Sequence, residues 1–303
     1  MLKITGNYFL GIFLYTLIII LLADFGRILL KYVFHASWIH SRTAFTVASA
    51  ICALLILLLS ACGIFHAKYI KTTSYDVIIN KTIPERTSMK VVLLADTHFG
   101  YNAGVLHARE LVRKINKQKP DLVCIAGDIF DNEYDAIRNP EKLEKTLRGI
   151  KSTYGVYACW GNHDLNEEIL AGFTFKHKDG DLSDIKDPRM KKFLEDSNIH
   201  ILEDESVLIN DQFYVIGRKD ASLTEKIHET RKAPAQLTEK LDRDKPIIMI
   251  DHQPKELQEL ADAGVDLDLC GHTHNGQTFP GNFTIKLMWE NPCGLLSKDN
   301  MTN

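Results

Sequence analysis

Two long apolar runs dominate the first 70 residues of the chain, and neither alternates with polar positions. Tyr8 to Ala23 is almost unbroken, and Ala44 to Phe65 contains no charged residue. A helix of about 20 apolar residues is long enough to cross the hydrocarbon core of a bilayer. The pattern therefore predicts two transmembrane helices, at about residues 8–30 and 44–65, in a membrane segment of residues 1–70.

The flanks of these runs bear on how the chain enters the membrane. No small-residue cleavage site follows the first run, which argues against a cleavable signal peptide. Asp24 and Arg27 are spaced to lie on one helix face, where they can pair or reach the interface.

The distribution of basic residues bears on the orientation in the membrane. On the side of the membrane that carries the rest of the chain, the flanking basic residues are Lys3, Lys68, Lys71 and Lys81. Those in the connector are Arg27, Lys31 and Arg42. The positive-inside rule thus slightly favours a cytoplasmic position for the rest of the chain.

The pattern changes after the membrane segment. Residues 71–88 are polar, and we interpret them as a linker with one alternating strand from Tyr75 to Asn80. From Val91 onward, short β-prone runs alternate with helix-like stretches, which favours an α/β sheet. The predicted helices are Ala103–Gln118, Glu141–Lys151 and Lys255–Ala263. The runs that suggest a second, antiparallel section are Ile199–Leu202, Ser206–Ile209 and Phe213–Gly217. We expect two packed sheets with outer helices in a domain of residues 89–303.

Charge and cysteine content narrow the class of function. The formal net charge is −3 and no arginine-rich stripe occurs, so the sequence gives no case for a nucleic-acid partner. Of the six cysteines, Cys124, Cys159 and Cys270 lie in predicted core strands. We expect these to be buried thiols and not a disulfide framework.

Five polar motifs follow five of the β-prone runs, each where the run stops. They are Asp96-Thr97-His98, Gly127 to Asp131, Gly161 to Asp164, Asp251-His252 and Gly271 to His274. Functional groups gather at the carboxyl ends of strands in sheets of this type, so the motifs should meet in one crevice. Glycines at three of the strand ends would let the backbone turn sharply. Together the motifs offer seven Asp, Asn and His ligands, enough for two metal ions.

The ordered set Asp-x-His, Gly-Asp-x-x-Asp, Gly-Asn-His-Asp, a lone His and Gly-His-x-His resembles the calcineurin-like metallophosphoesterase superfamily. Gly271 to Gln277, which reads Gly-His-Thr-His-x-Gly-Gln, is most similar to its membrane-attached bacterial branch. The resemblance covers roughly residues 85–290. It implies an α/β fold, a four-layer αββα sandwich, here preceded by the predicted transmembrane helices. It also implies an integral protein of the bacterial inner membrane.

The resemblance further implies which residues hold metal. The ligands of the first ion would be Asp96, His98 and His274. Those of the second would be Asn162, His252 and His272. Asp128 would bridge the two ions. Hard oxygen and imidazole donors suit manganese, iron or zinc as the two divalent ions.

Catalytic roles follow from the same resemblance. His163 would be the acid that protonates the leaving oxygen, and Asp164 would fix its tautomer and orientation. Asp131 would orient a ligand or be a plain acid at a helix start. Arg218 and Lys219 fit phosphate contacts and a solvated basic pair equally well. Glu167 to Pro188 resembles an insertion, either a lid that contacts substrate or a passive surface loop.

The implied activity is that of a membrane-tethered phosphohydrolase that cleaves a phosphate ester or pyrophosphate bond with metal-activated hydroxide. A tether favours a phosphorylated substrate at the bilayer, such as a lipid-linked sugar nucleotide of the UDP-diacylglucosamine type. One alternative is a general phosphodiesterase or phosphomonoesterase that acts on soluble substrates. Compared with the family, we expect this chain to be shortened at both ends. The other alternative is therefore a catalytically idle membrane scaffold, against which the intact ligand set argues.

Overall fold

The computed structural model describes residues 2–84, 86–167, 169–170, 173–174 and 186–303. The chain divides into two compact units. The first contains the N-terminal helices and two antiparallel strands, β4 (Ile169–Leu170) and β5 (Phe173–Thr174). The second contains the other described residues after residue 71. Most of the predicted insertion, Glu167 to Pro188, lies outside the described residues.

The two apolar runs form long helices. Helix α1 spans Leu2–Tyr32, a 3-10 turn spans Ser37–His40, and α2 spans Arg42–Lys68. Arg27 lies 3.5 Å from Asp24, so these charges pair within α1. Among the described side chains of both helices, only Ile19 is buried. Both helices are long and apolar enough to cross a membrane, and their exposure distinguishes them from the core helix of a soluble domain.

Two sheets form the centre of the second unit. The first is entirely parallel, in the order β1 (Val91–Leu94), β2 (Leu122–Ala126), β3 (Val156–Cys159) and β6 (His200–Ile201). The second has the order β11 (Ser297–Lys298), β12 (Met301–Thr302), β10 (Leu267–Leu269), β9 (Ile247–Ile250), β8 (Phe213–Gly217) and β7 (Glu205–Ile209). The edge strand β7 pairs antiparallel with β8, and the other edge strand, β11, pairs antiparallel with β12. The remaining pairings of this sheet are parallel.

The main hydrophobic core lies between the sheets. Leu122 and Cys124 of β2 share one buried cluster with Ile248 and Ile250 of β9 and Phe213 of β8. The period of two along each strand sends the alternate residues to the opposite face. The central strands β2 and β9 are therefore buried on both sides and are apolar throughout, because helices cover the outer faces.

Helices complete the outer layers of a four-layer αββα sandwich. Those before β6 are α3 (Val105–Gln118), α4 (Pro140–Leu147) and α5 (Pro188–Asp196). Those after β8 are α6 (Ala221–Lys226), α7 (Pro234–Thr238), α8 (Leu257–Asp262) and α9 (Gly281–Met288). Helix α3 buries Leu111 and Ile115, and α8 packs Leu257 and Leu260 against Met249 of β9. The predicted fold class is confirmed.

Two local predictions are wrong. The segment Tyr75 to Asn80 is not a strand. Val77 and Ile79 do pack against the inter-sheet core, so the alternation reflects side-chain burial without a hydrogen-bonded ladder. The run from Ile199 to Leu202 does not join an antiparallel section, because β6 pairs in parallel with β3. Helix α5 precedes β6 and supplies the crossover that a parallel pairing requires.

Truncation of a core side chain should show how much the inter-sheet cluster contributes to stability. Phe213 is fully buried in that cluster. Phe213→Ala should lower the free energy of unfolding by about 3–5 kcal/mol, because it removes buried apolar surface and leaves a cavity. The measurement is the midpoint of thermal unfolding of the full chain in detergent, followed by circular dichroism. Leu208→Ala on neighbouring β7, where the side chain is exposed, is the matched control and should change stability by about 0.5 kcal/mol or less. Equal midpoints for the two variants would contradict the assignment of the core.

Candidate metal centre

The polar motifs meet because five strand ends from both sheets converge. Backbone hydrogen bonds join the motifs: Asp96 N–H donates to the Gly127 carbonyl (3.1 Å) and His98 N–H to the Asp128 carbonyl (3.0 Å). These bonds join the loops that follow β1 and β2, two neighbouring strands of the first sheet. His272, which follows β10 of the second sheet, donates its N–H to the Asp96 carboxylate at 3.0 and 3.1 Å. The site therefore lies across the junction of the two sheets.

Four side chains form a first cluster. Donor atoms of Asp96, His98, Asp128 and His274 all lie within 4.8 Å of one another. His274 Nε2 is 3.3 Å from His98 Nε2 and 3.2 Å from Asp96 Oδ1. His98 Nε2 is 3.9 Å from Asp128 Oδ2. One carboxylate from each of two loops thus faces two imidazoles.

A second cluster adjoins the first and shares one member with it. Donor atoms of Asp128, His252 and His272 lie within 4.8 Å of one another. His252 Nε2 is 3.2 Å from Asp128 Oδ2 and 3.2 Å from His272 Nδ1. The side-chain oxygen of Asn162 lies 3.1 Å from the same His252 nitrogen. Asp128 therefore belongs to both clusters.

These spacings suit shared metal ions. Bonds of about 2.0–2.2 Å at tetrahedral or octahedral angles separate two ligand atoms by about 2.8–3.6 Å. The closest contacts between nitrogen and oxygen atoms in both clusters fall in this range. Imidazole nitrogens with carboxylate and amide oxygens are donors that first-row transition metals accept. The residues present therefore fit divalent metal ions.

A backbone contact orients one of the imidazoles. His252 is fully buried, and its Nδ1 lies 2.8 Å from the carbonyl oxygen of Ala126. A carbonyl can only accept, so Nδ1 carries the proton in this hydrogen bond. Nε2 then faces Asp128 and Asn162, and its lone pair would be available to a metal once the ring is neutral. Such an outer hydrogen bond is the usual way in which a protein fixes the tautomer of a ligating histidine.

The electrostatics of the clusters differ between the four histidines: the pKa values of His98 and His272 are lowered, whereas those of His252 and His274 are raised by neighbouring carboxylates, which outweigh burial. Burial lowers the pKa of His98 and of His272 to about 4, so both are neutral near pH 7. Burial also disfavours protonated His252, but the hydrogen bond and charge of Asp128 outweigh it and raise the pKa of His252 to about 10. Although burial alone would raise the pKa of Asp128, the contact with His252 holds it below the usual value. Metal binding would therefore release a proton from His252.

The backbone is strained at many of the predicted ligands. Left-handed φ angles occur at Asp96 (54°), His98 (43°), Asp128 (50°), His272 (72°) and His274 (47°). A non-glycine residue held in this region costs on the order of 1–3 kcal/mol and persists only where its surroundings enforce it. Strain of this kind is common at functional sites, and these five residues all lie in the two clusters, although positive φ angles also occur in other loops.

Two of the motif glycines serve close approach more than turning. Among the glycines that directly precede Asp128, Asn162 and His272, only Gly127 has a positive φ. A Cβ on Gly161 would lie 2.2 Å from Asp128 Oδ1, and one on Gly271 would lie 2.4 Å from the Cβ of Ala95. Any side chain at these positions would push the loops apart. The expectation of sharp turns therefore holds for only one of the three.

His163 lies beside the clusters, and its ring contacts Asn132. Its backbone N–H donates to Asp128 Oδ1 (2.8 Å), and its Nδ1 lies 2.6 Å from Asn132 Oδ1. Since Asn132 Oδ1 accepts, Nδ1 carries the proton. The prediction that Asp164 fixes the His163 ring is wrong. The Asp164 carboxylate turns inward and accepts from the backbone N–H groups of Phe130 (2.8 Å) and Gly161 (2.7 Å).

Sequence reasoning missed Asn132, although it directly follows the Gly-Asp-x-x-Asp motif. That adjacency was the available signal. The preceding residue, Asp131, has its Oδ1 3.8 Å from His98 Nδ1, and no helix begins at it. The interpretation that Asp131 orients a ligand therefore fits the structure better than the interpretation that it is an acid at a helix start.

The basic pair after β8 does not contact the clusters. Arg218 is almost fully buried, with Nη1 3.1 Å from Asp251 Oδ2 and Nη2 in a close contact with Glu256. Lys219 Nζ lies 2.8 Å from Glu229 Oε2 at the surface. Neither interpretation made from the sequence describes Arg218, because its charge is neutralised inside the protein. It supports Asp251, the residue before His252.

Substitution of the two basic residues should separate their roles. Arg218→Met should destabilise the fold by about 3–5 kcal/mol, because it leaves a buried carboxylate with fewer partners. Arg231, 3.0 Å from Asp251, keeps the cost near the lower end. Lys219→Met is the matched control and should cost about 0–1 kcal/mol, since its ion pair is partly solvated. Thermal unfolding of the full chain provides the comparison. If the two variants melted together, the buried ion pair would not be structural.

Comparison with known proteins adds independent findings. Residues 89–276 match the family model described as calcineurin-like phosphoesterase. A metallophosphoesterase of Campylobacter jejuni is 31% identical over 67% of this chain and 48% of its own length. A transmembrane protein with metallophosphoesterase domain from Bos taurus is 27% identical over 79% of this chain and 52% of its own length. The chain thus spans about half the length of these two relatives. A UDP-2,3-diacylglucosamine pyrophosphatase of Chlamydia trachomatis is 22% identical over 71% of this chain and 75% of its own length.

Proposed function

Because the chain belongs to the calcineurin-like phosphoesterase family, we propose that it is a membrane-tethered phosphohydrolase that depends on two divalent metal ions. The observation that carries the proposal is the pair of adjoining donor clusters that share Asp128. A buried carboxylate between two sets of imidazoles is the arrangement that a dinuclear site requires.

The proposed ligands follow the two clusters. Those of one ion are Asp96, His98 and His274. Those of the other are Asn162, His252 and His272. Asp128 would be a ligand of both ions, because it belongs to both clusters. When bound, such ions lower the pKa of water and neutralise phosphoryl oxygens, which makes attack on a phosphate possible. Manganese, iron and zinc all accept this mixture of donors.

His163 is the proposed proton donor to the leaving oxygen. Its Nδ1–H is held by Asn132, which leaves Nε2 free to carry a proton when the ring is charged. The ring is close to the first cluster, with its centroid 5.3 Å from that of His98, yet it belongs to neither cluster. Asp164 acts only indirectly in this proposal, because it holds the loops that carry Phe130 and Gly161.

The proposed substrate carries its phosphate at a membrane. Two helices long enough to span a bilayer precede the catalytic domain, and a relative is named as a transmembrane protein. Another relative is named for a lipid-linked sugar nucleotide, so we propose a pyrophosphate or phosphate ester of this class. We propose an inner-membrane location in a bacterium. The positive-inside rule slightly favours the cytoplasmic side for the domain, because four basic residues flank that side against three in the connector.

Metal analysis and a substrate panel test the proposal. The full chain, purified in detergent, should contain about two transition-metal ions per molecule and hydrolyse UDP-diacylglucosamine faster than soluble nitrophenyl phosphate esters. Chelation should abolish turnover, and readdition of metal should restore it. Activity on soluble esters alone would favour a general phosphodiesterase or phosphomonoesterase. Bound metal without turnover of any substrate would favour the idle scaffold.

Asp128 should be the most sensitive ligand, since it contributes to both clusters. Asp128→Asn should lower the content of both metals and the activity together, because an amide is a weaker and uncharged donor. Metal content is measured by elemental analysis and turnover with a nitrophenyl phosphate ester. Asp135→Asn, an exposed acid outside the clusters, is the control and should change neither quantity. An Asp128→Asn protein with both metals and normal turnover would rule out the shared role.

His163→Ala should lower kcat by about 10²–10⁴-fold, because this is the usual contribution of a positioned acid. Both metals should remain bound. The loss should shrink with a nitrophenolate leaving group, which departs with little help from a proton. Asn132→Ala should give a milder loss with the same dependence on the leaving group. Kinetics with good and poor leaving groups, together with metal analysis, provide the measurement. Loss of metal, or equal losses for both kinds of substrate, would contradict the acid role.

A further inference from the structure

Helix α9 is attached to the metal centre at both ends. It begins just after the Gly-His-Thr-His motif, and its first residue packs tightly on the turn that follows His274. A Cβ on Gly276 would lie 2.3 Å from the carbonyl carbon of Gly281. Directly after the helix, the Trp289 ring lies against the His272 ring, with centroids 5.1 Å apart. Whatever contacts α9 is therefore held beside two proposed ligands.

Large apolar side chains on α9 and just before it are covered by nothing in the described residues. Phe279, Phe283 and Leu287 are 65%, 60% and 88% exposed. Phe283 and Leu287 lie one turn apart on α9, and Phe279, two residues before the helix begins, lies beside Phe283. The three side chains are here called the α9 stripe. The two aromatic rings contact each other, with centroids 5.9 Å apart. Ile285, on the opposite side of the helix, is partly buried, so the helix orientation is set by packing.

Basic and indole groups border the stripe. Lys286 is exposed on the same side of the helix. Lys255 Nζ lies 5.4 Å from the centre of the Trp289 ring at the end of the helix. Apolar residues flanked by lysine and tryptophan are typical of helices that lie in the interface between lipid and water. Lysine can extend to anionic headgroups while the aromatic rings lie deeper.

We propose that the α9 stripe inserts into the interface of the lipid bilayer that anchors the chain, and so holds the metal centre at headgroup level. The inference rests on the membrane tether in the proposed function. Exposure of all three large apolar side chains to water is unfavourable, and burial in lipid would remove that surface from water. A bilayer attached through α1 and α2 is present at high effective concentration, so even a small patch can bind it. A phosphate at the membrane surface would then reach the site without leaving the lipid.

Depth-dependent fluorescence quenching tests the proposal with the full chain in nanodiscs of phosphatidylethanolamine and phosphatidylglycerol. In a background with Cys52, Cys62 and Cys293 replaced by serine, Phe283→Cys and Leu287→Cys each carry a bimane label. Nitroxide groups on the lipids should quench both labels. Leu106→Cys on α3, 79% exposed, is the matched control and should keep its fluorescence. A label on native Cys62 in α2, with the other two positions replaced, verifies insertion.

The outcomes separate this surface from the proposed chemistry, because quenching requires neither metal nor turnover. Metal-free protein should give the same result. The proposal would be overturned if the labels at positions 283 and 287 were quenched no more than the label at position 106 while the label on Cys62 was quenched. Self-association through the labelled helix in detergent, without lipid quenching, would also overturn it and identify a second copy as the partner. Unquenched Cys62 would refute the tether and this inference with it.

A kinetic comparison provides a second test. Phe283→Ser combined with Leu287→Ser should raise KM for UDP-diacylglucosamine presented in the nanodisc and leave KM for a soluble nitrophenyl ester unchanged. Leu106→Ser should alter neither constant. Equal changes on both substrates would mean that the substitutions disturb the metal centre, and the surface role would be abandoned. If neither substrate is turned over, the proposed function fails. The quenching result would still show whether the α9 stripe contacts lipid.

Discussion

The shared carboxylate of Asp128 is the contact on which the site depends. It is 1% exposed, and its two oxygens meet groups from three different loops. Oδ2 faces the imidazoles of His98 and His252, and Oδ1 accepts the backbone N–H of His163. A buried anion requires compensation from charge or hydrogen bonds. Asp128, in the loop after β2, therefore fixes where the loops after β1, β3 and β9 can lie, and the proposed metals would supply the remaining positive charge.

Close packing around this carboxylate explains the local departures from ordinary backbone geometry. Gly161 brings its loop within van der Waals contact of Asp128, and Gly271 does the same beside Ala95. Left-handed conformations at Asp96 and His272 turn the chain back into the crevice directly after a strand. The fully buried strands β2 and β9 enforce this strain, because they pair with β1 and β10 and cannot shift to relieve it.

The sequence predicted the sheets well because apolar runs and their polar ends are local signals. The five strands that carry the motifs, such as Leu122–Ala126, are at the predicted positions. The pairing partner of β6 was wrong, since the choice between parallel and antiparallel depends on which edge is free. Asp164 was assigned to the wrong partner for a similar reason. Neighbours in sequence after a strand point in different directions, and only the fold shows that Asn132 from another loop contacts His163. The assignment of individual ligands remains a prediction.

Acidic groups behind the metal centre bear on the choice between an active site and an idle scaffold. Burial, together with the charge of Asp128, raises the pKa of Asp164 to about 8, so an added negative charge in this region is unfavourable. Burial and the charge of Asp251 raise the pKa of Asp268 to about 7. Without bound cations, carboxylates that are buried close together repel one another, and each requires compensation from positive charge or hydrogen bonds. Retention of Asp96 and Asp128 beside these acids is therefore easier to explain if cations occupy the clusters than if the site is purely structural.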